Sequence, residues 1–111
     1  MTERIKPPPS FAPAYCAMYP ELVTIAREHG WALTVLGSMS RDFDMVCVPW
    51  TETPHDPECV VNGFCDTFSL VQIGQPDVSH HGRLRFTLSV GWGECFLDLS
   101  FVPRSSDVHS A

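Results

Sequence analysis

The sequence predicts an α+β fold, a twisted mixed sheet of about four to five strands with two or three helices on one face. Three observations carry that expectation. Helix-like and strand-like segments follow one another in the order helix, strand, strand, helix, strand, strand. The chain has 111 residues, enough for one small core and too few for a second. Hydrophobic residues make up 44% and charged residues 18%, too apolar a balance for a disordered chain.

Residues 1–14 hold Pro7, Pro8, Pro9 and Pro13, a density that favours extended polyproline II and reads as a flexible, proline-rich arm. The first helix is expected over 20–29. Pro20 suits a first helical position, Leu22, Ile25 and Ala26 form an apolar stripe, and Gly30 supplies a left-handed stop. Residues 31–36 are apolar on both strand faces, as a central strand requires, and end at Gly37-Ser38. A very short connection leads to a second strand over 43–48, closed by Pro49 and Trp50.

Asp56-Pro57-Glu58 marks the start of a second helix, with Asp56 as N-cap and Val61, Phe64, Cys65 and Phe68 at helical spacing. Gly63 in its middle costs about 1 kcal/mol relative to alanine. Residues 69–81 are ambiguous, with 70–73 a strand or a helix end. Residues 83–90 alternate, placing Leu84, Phe86, Leu88 and Val90 on one face. A turn over 91–94 then returns the chain along 95–102 as a hairpin. The expected organisation is an arm over 1–14, one domain over 15–103 and a polar, frayed tail over 104–111.

Seven Lys and Arg against thirteen Asp and Glu leave a net charge of −6, which argues against broad binding to nucleic-acid backbone. Small phosphorylated ligands held through a metal remain compatible with it. No apolar stretch approaches the ~18 residues of a membrane span, so no membrane partner is expected. The proline run at the N-terminus does not resemble a signal peptide. Cys16, Cys47, Cys59, Cys65 and Cys95 are odd in number and read as reduced cytosolic thiols, mostly small buried hydrophobes, hence a cytoplasmic location.

The chemistry-bearing segment is Val35-Leu-Gly-Ser-Met-Ser-Arg-Asp-Phe-Asp-Met-Val46. Alternation sets Asp42 and Asp44 on one strand face, about 7 Å apart, where their mutual repulsion would be relieved by a divalent cation. All-oxygen donors suit Mg²⁺ or Mn²⁺ rather than zinc. A third acid, Asp98, sits in the apolar run Cys95-Phe-Leu-Asp-Leu-Ser-Phe101 and must be solvated, hydrogen-bonded or bound to a cation. If that strand lies beside 42–48, all three carboxylates converge on one open face.

This pattern, helix, strand, Gly-Ser, Asp-x-Asp and a later strand aspartate, resembles the nucleotidyltransferase fold of the polymerase-beta superfamily. GSMSRDFDMVCVPW followed by GRLRFTLSVGWGECFLDLSFVPR is similar to small phage- and prophage-encoded nucleotidyltransferase-like proteins, over roughly residues 18–103. The resemblance implies a minimal nucleotidyltransferase-like fold that binds a nucleoside triphosphate and transfers a nucleoside monophosphate to an acceptor. It implies that Gly37 and Ser38 cradle phosphates, that Asp42 and Asp44 hold Mg²⁺ (or Mn²⁺), and that Asp98 shares a metal and activates the attacking hydroxyl. Arg41, directly before the acids, is a phosphate-contact candidate. In the superfamily about a helix turn or more separates Gly-Ser from the first aspartate, whereas here only Met39, Ser40 and Arg41 intervene. The helical domain that usually grips base and acceptor in the superfamily has no counterpart here, so an acceptor site would need a protein partner, a second subunit such as a homodimer mate, or the arm.

Other readings accompany these. Asp42 and Asp44 equally fit a turn followed by a solvated strand edge, with Arg41 neutralising one acid. Arg83 and Arg85 either meet phosphates on the open face or offset nearby acids. His55-x3-Cys59-x5-Cys65 lacks the spacing of a zinc site, and His80-His81 reads as loop. Trp31 reads as core; Trp50 and Trp92 are candidates to stack on a base. The same scaffold also suits an inactive, phage-derived interaction or inhibitory module, or a toxin–antitoxin component.

Overall fold

A computed structural model describes residues 10–91 and 94–107. Two helices, α1 (Ala12–Glu28) and α2 (Pro57–Phe68), accompany six strands: β1 (Trp31–Leu36), β2 (Asp42–Pro49), β3 (Val71–Gln72), β4 (Asp77–Val78), β5 (Leu84–Ser89) and β6 (Phe96–Phe101). The fold is α+β with one mixed sheet in the order β1-β2-β6-β5-β3, and β4 shares the outer edge of β5. The four long strands match the expected segments. The ambiguous stretch 69–81 contributes the two-residue strands β3 and β4, which raises the count to six.

Pairing is antiparallel for β1 with β2, parallel for β2 with β6, and antiparallel for β6 with β5. The parallel pair requires a long crossover, and α2 through β5 supplies it. Strand alternation then sorts side chains by face. Leu33, Phe43, Met45, Phe86, Leu88, Leu97, Leu99 and Phe101 point to the helical side and join Leu22, Ile25, Val60 and Phe64 in one buried cluster. No polar or charged residue among those described is buried. The opposite face carries the hydrophilic positions.

The first helix begins at Ala12, eight residues before the expected start. Proline does occupy the first turn, but it is Pro13; Pro20 lies inside the helix. A helix-interior proline costs about 3 kcal/mol in an isolated helix. Burial of the preceding turns offsets that cost: Tyr15 is 1% exposed and stacks on Phe43 at 4.9 Å, while the Tyr19 hydroxyl donates to the Leu33 carbonyl at 2.9 Å. Gly30, at φ +88°, follows the helix as expected.

The second helix starts at Pro57 after Asp56, but the Asp56 carboxylate makes no cap hydrogen bond. It accepts instead from Arg104 Nη1 at 2.9 Å. Arg104 also pairs with Asp107 and donates to the Pro54 carbonyl, so residues 104–107 form a hydrogen-bonded clip that ends in a 3-10 turn (Ser105–Asp107) rather than a frayed tail. All five cysteines are free thiols; only Cys47 and Cys95 are buried, fewer than the composition suggested. Trp31 is core at 1% exposure and Trp50 is exposed at 75%, whereas Trp92 lies outside the described residues, as do most of the proline-rich arm and residues 108–111. No described helix is long and apolar enough to cross a membrane.

Candidate acidic site on the open face

The register across the sheet builds the site. Parallel pairing sets Asp44 directly beside Asp98, and antiparallel pairing sets Asp98 beside Thr87. Neighbouring strands lie about 4.8 Å apart, so two acids remote in sequence become lateral neighbours. Both are half-buried. The Thr87 hydroxyl donates to Asp98 Oδ1 at 3.2 Å, which holds that carboxylate in place.

Burial pushes the Asp44 carboxyl above the usual aspartate range, and the adjacent Asp98 and then Asp42 push it further. Asp42 lies in the next row, opposite Phe96, and is exposed. The structure thus brings Asp44 and Asp98 together and keeps Asp42 one pleat away, within electrostatic range. Among the described residues no group of three His, Cys, Asp or Glu is gathered closely enough to hold a metal ion.

Gly37 follows β1 with φ +75°, a conformation that glycine takes without strain. A Cβ on it would stand 3.6 Å from Asp44 Oδ2, so the missing side chain leaves one side of that carboxylate open. Ser38 is exposed, and its hydroxyl lies 2.9 Å from that of Ser40. Only loop, including a left-handed Met39 at φ 61°, joins Gly37 to Asp42. Tyr15 braces this loop from below by donating its hydroxyl to the Arg41 carbonyl. The Arg41 side chain turns to Glu94 at 2.8 Å, so the acid it neutralises is neither Asp42 nor Asp44.

Asp44 and Asp98 line a groove of about 360 Å³ whose far wall is basic. Arg85 there is clamped by Asp77 through two hydrogen bonds, of 3.1 and 2.9 Å. Arg83 also lines the groove, and its buried Nε finds no hydrogen-bond partner. Both arginines share the face of Asp98, as alternation required. Thr87 and Asp77 escaped sequence reasoning. Thr87 occupies the same alternating face as Arg83 and Arg85, but its pairing with Asp98 depends on register; nothing local marked Asp77.

Compared with protein-family models, curated proteins and solved structures, the chain matches none. The class defined by fold and site is therefore an α+β protein with an acidic pair and a basic wall on the open face of its sheet.

Proposed function

We propose that the open face binds a nucleoside triphosphate together with Mg²⁺ or Mn²⁺ and transfers a nucleoside monophosphate to an acceptor. The observation that carries this reading is the parallel register that sets Asp44 beside Asp98, next to Gly37. Two carboxylates suit Mg²⁺, which keeps several waters and takes further oxygens from substrate phosphates. When bound, the cation would neutralise phosphate charge and polarise the phosphoryl oxygen. Asp44 and Asp98 would hold it, with Asp42 adding negative potential. The Gly37-Ser38 loop offers amides and a hydroxyl to phosphate oxygens, and Arg83 adds positive charge to the groove wall. Asp98, oriented by Thr87, is the residue to receive the proton of an acceptor hydroxyl.

Binding of a labelled nucleoside triphosphate, followed with and without Mn²⁺, tests the reading on wild type, Asp44→Asn and Asp98→Asn. Metal-dependent binding is expected in wild type and at least tenfold weaker binding in each variant, with labelled acceptor formed only by wild type. No metal-dependent nucleotide binding at millimolar concentrations would remove it.

A second reading, an interaction module, rests on Val71, Ile73 and Val78, which leave apolar surface on the β3/β4 edge, Val78 being 67% exposed. Val78→Asp then abolishes self-association or partner binding while Asp44→Asn preserves it. A wild-type chain that stays monomeric and unpartnered at high micromolar concentration argues the other way.

A further inference from the structure

Away from the acidic groove, two histidines from separate segments meet. His29 caps the C-terminus of α1, and His55 lies in the loop that leads into α2. Their Nδ1 atoms are 2.9 Å apart. The arrangement is pre-formed by the backbone: the His55 amide donates to the His29 carbonyl at 2.9 Å, and the His55 carbonyl accepts from Nε1 of the buried Trp31 at 3.0 Å. A Cβ on Gly63 would come to 4.0 Å from His29 Nε2, so that side of the ring faces α2 while Nδ1 faces His55.

We infer that His29 and His55 form a two-histidine chelate for a divalent transition-metal ion of the nickel or copper type. Two imidazole nitrogens bound at about 2.0–2.1 Å and at about 90° stand about 2.9 Å apart, the separation observed; the ring centroids, 5.1 Å apart, show the Nδ1 atoms aimed at each other, so each ring turns by about 45° to point at a shared ion. In the free protein one Nδ1 must carry a proton and donate it to the other. Moving that proton to Nε2 of the same ring frees both Nδ1 lone pairs, which a cation seated to one side of the pair accepts once the rings turn toward it. The carbonyl end of α1 adds negative potential at His29. The surrounding cleft, about 270 Å³, is lined by Arg27 and Glu28, whose charges offset, and by Thr51 and Thr53, and it leaves the remaining coordination positions to water. Filling the site would tie the end of α1 to the loop before α2.

Calorimetric titration of tag-free protein with Ni²⁺ provides the test. Wild type should bind one ion per chain and melt at a higher temperature with Ni²⁺ present. His29→Gln and His55→Gln should each weaken binding at least tenfold and lose the thermal shift. The double change His80→Gln with His81→Gln, and separately Asp44→Asn, should retain wild-type affinity, which distinguishes this site from the loop histidines and the acidic groove. Circular dichroism establishes that each variant is folded, and the two glutamine variants serve as independent tests. Ni²⁺ affinity unchanged in both of them, or no Ni²⁺ binding by wild type at millimolar concentration, would overturn the inference.

Discussion

Replacing Asp44 with asparagine should make the protein more stable at neutral pH while removing its proposed function. Asp44 and Asp98 are lateral neighbours on adjacent strands. Two unit charges about 4.8 Å apart repel by about 0.9 kcal/mol in water and by about 3.5 kcal/mol at an effective dielectric of 20. Both carboxylates are half-exposed, so screening favours the lower end, about 1 kcal/mol. Asparagine keeps the shape and removes the charge. For a chain of this size, 1 kcal/mol corresponds to about 4 °C in Tm. The sign of the pH dependence follows from the raised Asp44 carboxyl. Below the ordinary aspartate pKa, about 3.9, Asp44 is protonated in both folded and unfolded chains and the penalty vanishes. As pH rises, the folded chain keeps its proton longer than the unfolded one, and wild-type stability falls until Asp44 ionises in both. The assay is thermal melting of wild type and Asp44→Asn from pH 3.5 to 7.5. A gain confined to the upper range is expected; a variant less stable than wild type at pH 7, or a difference independent of pH, would refute the repulsion argument.

Three further outcomes follow from packing and burial. Gly63→Ala should destabilise by about 1 kcal/mol in urea titration, because a Cβ there would stand 2.7 Å from Ile25 Cγ2 in the α1–α2 contact, and overpacking of about 1–3 kcal/mol outweighs the helix-propensity gain of about 1 kcal/mol. Arg104→Ala should cost about 1–2 kcal/mol in the same assay and expose the start of α2, since its largely buried guanidinium joins Asp107, Asp56 and the Pro54 carbonyl; a neutral substitution would mean that the clip adds nothing. In the native protein at pH 8, iodoacetamide should label Cys16 and Cys59 first, as read by peptide mass spectrometry. Cys47 stays unmodified because burial pushes its thiol up to about 12, and rapid native-state labelling there would contradict the core packing.

Local chemistry made much of the fold legible. Alternation in 83–90, the apolar run at 31–36 and the Asp-Pro-Glu start of α2 depend on neighbours within a few residues, and all three appear in place. The start of α1 did not follow from such signals. Pro20 has a strong local preference for a first turn, and only the stacking of Tyr15 on Phe43, a contact 28 positions away in the chain, shows why the helix runs through it. Likewise the composition of 69–81 suited helix end and strand alike, and pairing with β5 decided the matter.

For the candidate site, sequence alone determined which residues bear charge and, through the two-residue period, that Asp42 and Asp44 share one strand face and that Asp98 falls opposite the apolar Leu97 and Leu99. Tertiary structure decided which of them meet. Because a strand shifted by two residues keeps every side chain on the same face, periodicity cannot tell whether Asp98 stands beside Asp42 or Asp44; the hydrogen-bonded register chose Asp44. The encounter of His29 with His55 was equally invisible, since it depends on how the end of a helix and a distant loop close upon each other. Side-chain chemistry and face are written along the chain, while proximity is a property of the whole packed molecule.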